Sequence, residues 1–333
     1  MNVAFLLKQY FENRQDVSID VFDAHTLNNV YQNVLKTLTS HFEIEVSVLQ
    51  ALSYCFYEIL DNVHIHSGRP IGTAMTHFDS DKDVLRVLIA DDGVGIRESL
   101  AGNEKFRNVG EGEALQLCLQ DSVTDGKGMG FGLYATSRLM KDVGLQFIIH
   151  SGNHKLISKN GETRVMENGF WQGTIVYMEL ATSKEIDPSE VVDHRTDAET
   201  EYNECFIETD GLDSLWNGPT SDVTLGFSKY GTDFGTRDMG AKIREELLSL
   251  IRQGLHVALD FSGVNVVSNS FADECIAKLL LEIPLDELKR LITFRDLTPM
   301  AERSILVAIQ RRHKCSSPAK SVSSTTPASR MCR

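Results

Sequence analysis

Between Glu58 and Gly132 the chain carries three short boxes, and their order constrains the fold more than any one of them alone. They are Glu58-x-x-Asp61-Asn62, then Asp91-Asp92-Gly93-Val94-Gly95, then Gly126-Lys127-Gly128-Met129-Gly130-Phe131-Gly132. The first lies in an apolar helical pattern over residues 46–64, with Leu49, Leu52, Phe56, Ile59, Leu60 and Val63 on the repeating positions. The second follows residues 84–90, apolar but for Arg86, which read as a buried strand. The third has glycine at alternate positions and runs into a helical stretch that begins at Leu133. Together the boxes suggest a nucleotide pocket with a magnesium site.

Each box has a chemical reason and an ordinary alternative. Glu58 and Asn62 are four apart and share a helix face. A carboxylate there can take a proton from a water or hydroxyl nucleophile, and an amide oxygen suits the hard Mg2+ ion. Taken alone, the two residues could equally lie on a solvated face. Asp91 ends its strand, and Gly93 and Gly95 let the backbone approach a flat ring closely. A buried carboxylate there accepts a hydrogen bond from an adenine amino group; the plain alternative is a strand-to-turn Asp-Gly. Backbone N–H groups around Gly128, Gly130 and Gly132, with a helix N-terminus behind them, can cradle phosphates, and Lys127 adds charge. The loop is not a Walker loop, because its Gly and Lys lack the required Ser/Thr spacing.

The 333 residues are enough for about two domains, and an apolar content of 42% is enough to build cores. No apolar run approaches the ~18 residues of a membrane span. The first eight residues lack a basic segment followed by a long apolar stretch, so no secretory signal is expected. Six cysteines, at 55, 118, 205, 275, 315 and 332, form no close pair, which suggests reduced thiols and a cytoplasmic protein. A net charge of -14 argues against nonspecific nucleic-acid binding. Charge also divides the chain. Residues 181–213 hold eleven acids against Lys184 and Arg195, the pattern of a linker. Residues 311–333 hold six Lys or Arg and no acid, among many Ser, Thr and Pro, and read as a disordered basic tail.

The coarse reading is α+β. Strands are expected at 17–22, 84–90, 147–150 and 173–180, with helices at 26–42 and 46–64, not in regular alternation. A second unit begins near 222. It alternates a helix at 237–253, a strand at 255–261, a helix at 271–282, a strand at 291–296 and a helix at 300–310. The expected organisation is an ATP-binding domain at 1–180, an acidic linker at 181–219, a small α/β domain at 220–310 and the tail.

In order and interval the boxes resemble the GHKL superfamily of gyrase-type topoisomerases, heat-shock chaperones, mismatch-repair ATPases, histidine kinases and anti-sigma-factor kinases. The resemblance covers roughly residues 40–180. It implies an α/β sandwich that binds ATP and Mg2+, with Glu58 as general base and Asn62 on the metal. It also implies that Asp91 reads adenine and that the glycine loop, with residues about 97–127, forms a lid. Gly173-Thr174 on a late strand matches the family's support for the adenine-reading aspartate. The nearest likeness is to anti-sigma-factor serine kinases, whose asparagine is followed four residues later by a histidine, here His66. A helix C-terminal histidine favoured by the macrodipole is the alternative for His66. Too few residues precede the helix for the phosphoacceptor segment of a histidine kinase.

Asp260-Phe261-Ser262-Gly263-Val264 and Val267-Ser268-Asn269-Ser270-Phe271 resemble a STAS-like domain of the anti-sigma-antagonist kind. That resemblance implies a partner-switching serine/threonine kinase acting on its own or another STAS-like domain; a homodimer is a further expectation from the GHKL likeness. The family's Asp-Ser-Ser-Gly is altered, with Asn269 at the acceptor serine and Ser268 at the aspartate. Ser270 is then either an acceptor or the N-cap of a helix starting at Phe271, with Asp273 at its third position. A slow ATPase whose nucleotide state controls partner binding, and a non-catalytic nucleotide-binding regulator, are the alternative functions.

Overall fold

The computed structural model describes residues 2–14, 16–41, 44–121, 123–125, 130, 132–191, 212 and 221–316. In chain order the first part comprises α1 (Val3–Tyr10), β1 (Ser18–Phe22), α2 (Leu27–His41), α3 (Val46–His66), β2 (Gly72–Asp79), β3 (Val84–Ala90), α4 (Ile96–Leu100), α5 (Glu111–Leu117), α6 (Gly132–Asp142), β4 (Gly144–Lys159), β5 (Glu162–Ala181) and α7 (Pro188–Val191). The second comprises β6 (Val223–Gly226), β7 (Asp233–Phe234), α8 (Arg237–Arg252), β8 (Val257–Asp260), β9 (Val266–Val267), α9 (Asn269–Cys275), α10 (Leu285–Leu291), β10 (Ile292–Arg295) and α11 (Pro299–Ser316). No helix among the described residues is long and apolar enough to cross a membrane.

The first part is one antiparallel sheet in the order β1-β2-β3-β5-β4. Helices α2, α3 and α6 cover one face, and α1 covers the other through Leu6 and Tyr10, joined by Phe11 just beyond its end. β3 sits at the centre, and all seven of its residues are buried. Two covered faces explain why it is apolar at every position but one. The one long polar side chain in it, Arg86, reaches Glu179 at 2.6 Å and Asp79 at 3.6 Å. The second part has the parallel sheet β10-β8-β6 and the small pair β7-β9.

Several elements differ from the sequence reading. α1 and β2 had no strong period, and β2 places Thr73, Thr76 and His77 among its residues. β4 and β5 extend far beyond 147–150 and 173–180. Their outer arms form a ribbon whose β5 residues are mostly exposed, so no apolar alternation marks it. The turn residues Asn160 (φ 54°) and Gly161 (φ 79°) are the local signal that does. The single helix expected at 271–282 is α9 followed by a 3-10 segment, Ala277–Leu281. Its N-cap is Ser268, whose hydroxyl accepts from the Phe271 N–H at 3.0 Å, so Ser270 is not the cap.

Charge misplaced two boundaries. Residues 182–191 pack rather than drift: Ser47 Oγ accepts from the Ile186 N–H at 3.2 Å, and Val191 is fully buried. Residues 192–211 and 213–220 of the expected linker lie outside the described residues. The basic tail begins inside α11, because acids on other elements hold it. Arg311 meets Asp121 at 2.7 Å, and Arg312 donates to Asp273 at 2.6 Å. The rest of the tail, 317–333, also lies outside the described residues.

The two parts share a tight boundary along α3. Val266 and Met300 of the second part join the first core. A Cβ on Gly235 would fall 1.8 Å from Cδ1 of Tyr57, which stacks on Tyr31 at 3.7 Å and donates to Asn28 at 2.8 Å. Gly235→Ala is therefore expected to destabilise the protein by about 1–3 kcal/mol, the usual cost of overpacking. Calorimetry would show a lower unfolding midpoint, and an unchanged midpoint would disprove the closeness of this contact.

Candidate functional site

α3 is buried on more than the face turned to the sheet. The second part covers the turn that carries Glu58 and Asp61, leaving them 6% and 5% exposed. The solvated-face alternative therefore does not hold for Glu58. Its Oε1 accepts from the Ser270 N–H at 3.2 Å. Burial, with the Asp61 carboxylate as a second cause, pushes the Glu58 carboxyl up to about 7, against the pull of the Ser270 N–H, Arg237 and the Asn269 N–H. Burial also raises Asp61, opposed by Arg237 and the Ser270 hydroxyl. Two acids one turn apart, in so little water, cannot both hold a full charge cheaply. Glu58 is thus poised to accept a proton near neutral pH.

One cavity runs from this acidic turn to the end of β3. Glu58, Asn62, His66, Asp91, Gly95, Gly130, Gly132 and Thr174 all line it, together with Asp61, Asp125, Arg237 and Ser270. Asp91 is buried at the β3 end. Its Oδ1 accepts from the Gly93 N–H at 2.8 Å, and its own N–H donates to the Thr174 carbonyl at 2.9 Å. Burial outweighs the backbone N–H groups of Gly93 and Thr174 and raises the Asp91 carboxyl to about 6. A buried carboxylate at the wall of a cleft can accept a hydrogen bond from an amino donor.

Glycines make that wall possible. Gly173 has φ 92°, and a Cβ there would lie 2.4 Å from the Asp91 carbonyl oxygen. Gly93 does not line the cavity but packs behind it, where a Cβ would fall 2.1 Å from the Ser67 carbonyl oxygen. Gly132, the first residue of α6, brings that helix so close to α3 that a Cβ would lie 3.0 Å from Cβ of Glu58 and 3.1 Å from Nδ2 of Asn62. Lys127 and Gly128 lie outside the described residues, as do Gly126, Met129 and Phe131.

His66 is engaged rather than open. Its Nδ1 lies 2.9 Å from Asp125 Oδ2, which also accepts from the Ser99 hydroxyl at 2.9 Å. This pins Asp125 between the end of α3 and the last turn of α4. Ser151 was not foreseen: its hydroxyl accepts from the Ile96 N–H at 3.0 Å and donates to the Gly173 carbonyl at 2.8 Å. Arg237 was missed as well, because nothing near it in sequence distinguishes it from any arginine at a helix start. Among the described residues no group of three or more His, Cys, Asp and Glu could hold a metal ion.

A family model described as a STAS-like domain of unknown function (DUF4325) matches residues 239–302. That span runs from α8 into α11 and contains Ser270. The C-terminal part of the chain thus carries a STAS-like domain. No curated protein matches the chain.

The Glu58 shift gives a stability prediction. Its folded value lies above the ordinary 4.5, so its favourable contribution is complete below about 4.5 and is lost as pH rises through about 7. Glu58→Gln keeps an acceptor for Ser270 and removes the buried charge. It should stabilise the protein by up to about 3 kcal/mol at pH 8 and by little at pH 5. Unfolding midpoints of both proteins at the two pH values measure this, and an equal gap at both would refute it.

Proposed function

We propose that the cavity is an ATP site of GHKL type and that the chain is an ATP-dependent regulatory protein of the serine-kinase kind. The carrying observation is convergence. Glu58, Asn62, Asp91, Gly95, Gly130, Gly132 and Thr174 come from separate elements yet line one cleft. The antiparallel sheet with helices α2, α3 and α6 on one face supports an α/β sandwich of that type. The donor chemistry also fits the ligand. Asp91 offers a buried acceptor for an adenine amino group at one end. Glu58 and Asn62 offer hard oxygens at the other, where Asn62 would hold Mg2+ together with phosphates. The metal would neutralise phosphate charge.

The position of Ser270 favours phosphotransfer within the chain over transfer to water alone. Its hydroxyl lies 3.5 Å from Nη2 of Arg237, and its N–H is bonded to Glu58. Glu58 would take the hydroxyl proton as the Ser270 oxygen bonds to the γ-phosphorus of ATP, the bond from that phosphorus to the bridging oxygen breaks, and ADP leaves with its charge offset by Mg2+. The second reading, a slow ATPase that switches partner binding, is favoured by one detail: Glu58 holds the backbone N–H of Ser270 rather than its hydroxyl. A STAS-like domain supports a protein partner under either reading.

Incubation of purified protein with labelled ATP and Mg2+ separates the readings. Label on Ser270 supports phosphotransfer, free phosphate supports hydrolysis, and no ATP binding overturns both. Asp91→Asn should weaken ATP binding at least about tenfold, the scale of a lost charge-assisted hydrogen bond. Wild-type affinity should fall as pH drops below about 6, because Asp91 loses its acceptor charge there. ATP affinity unchanged by Asp91→Asn would remove Asp91 from adenine recognition.

A further inference from the structure

A second pocket, of ≈ 550 Å³, opens along the boundary between the two parts. It shares no lining residue with the cleft around Glu58 and Asp91. One wall is α2 with the N-terminal turns of α3. The other is Asp233 of β7, with Asn265 and Val266 at the start of β9. Its size falls in the range of small-molecule sites, about 300–1,000 Å³.

The polar lining is rich in amides. Gln32 and Asn33 stand on α2, Gln50 on α3, and Asn265 across the boundary. A side-chain amide offers both donors and an acceptor, and the Ser53 hydroxyl, buried in the floor, also offers both kinds. A ligand hydroxyl, which donates and accepts at one atom, matches such a wall. Charge selects no ion. Lys36 and Asp233 are the charged side chains among the described lining residues, one of each sign. Asp233 is drawn partly out of water: burial raises its carboxyl, against the hydrogen bond from the Thr232 hydroxyl at 2.8 Å. No aromatic side chain stands among the described lining residues, so a flat base finds nothing to stack on. Leu35, Val46, Leu49 and Val266 offer an aliphatic surface instead, suited to the C–H face of a saturated ring.

We propose that this pocket binds a small, uncharged, polyhydroxylated molecule, a sugar or a cyclitol, between α2–α3 and the β7–β9 side. The amides and the Asp233 carboxylate bond its hydroxyls, and the aliphatic residues cover its ring. The site does not depend on the nucleotide reading and goes beyond it. Neither part of the chain supplies the whole lining, so an occupant binds the docked arrangement and stabilises it by mass action. It thereby steadies the boundary that also seats Ser270 against Glu58.

The test is calorimetric titration of the full chain with glucose, maltose and myo-inositol, together with unfolding midpoints at rising concentration of each. At least one should bind saturably and raise the midpoint to a plateau. Asp233→Ala should weaken that binding about tenfold or more, the scale of a lost hydrogen bond to a charged group. Asn265→Ala, at an exposed position on the rim, should weaken it as well and carries the test if the Asp233 variant fails to fold. Saturable binding of none of the three would overturn the proposal, as would binding that both variants leave unchanged. A midpoint that climbs without a plateau, and alike in wild type and variants, is exclusion of solute from the whole surface and would overturn it too.

Discussion

The structure turns on the burial of two carboxylates on one turn of α3. Glu58 and Asp61 lie between the antiparallel sheet unit and the STAS-like part, where a charge is costly unless something answers it. The answer comes from the C-terminal part of the chain: the Ser270 N–H for Glu58 and the Arg237 guanidinium for Asp61. The boundary between the two parts is therefore also a wall of the cavity. A change in one is felt in the other, because the same atoms serve both.

The opposite end of the cavity is built on another principle. There the backbone approaches so closely that side chains are excluded. Gly93 presses on Ser67 and Gly173 on Asp91. Trp171 Nε1 donates to the Asp91 carbonyl oxygen at 3.2 Å, and Ser151 ties Ile96 to Gly173. Asp91 is thus fixed by backbone and neighbours before any ligand arrives. That preorganisation suits recognition of a rigid ring. The acidic end is looser and has exchangeable pairs, which suits a site of changing charge.

Local patterns were legible where one face or both faces of an element are apolar. β3 and the helices α3 and α8 could be placed from spacing alone. The β4–β5 ribbon could not, because its outer arm buries little and is held by backbone pairing. Charge density was a poor guide to order. Residues 182–191 are acidic yet packed, and Arg311 and Arg312 are part of a basic run yet held by Asp121 and Asp273. Ser270 looked like a cap because a serine before an apolar residue often is one; Ser268, two residues earlier, takes that role.

The sequence by itself determined which residue types stand at which intervals: an acid and an amide four apart, an aspartate at a strand end with glycines behind it, and a glycine loop before a helix. Those follow from local periodicity and backbone freedom, which neighbouring residues set. Only the tertiary structure decided that the acidic turn is buried, that His66 is committed to Asp125, and that Ser270 and Arg237 reach the cavity. These depend on packing between segments far apart in the chain. No local spacing carries that information, because the energy that fixes them is desolvation across a boundary the sequence does not mark.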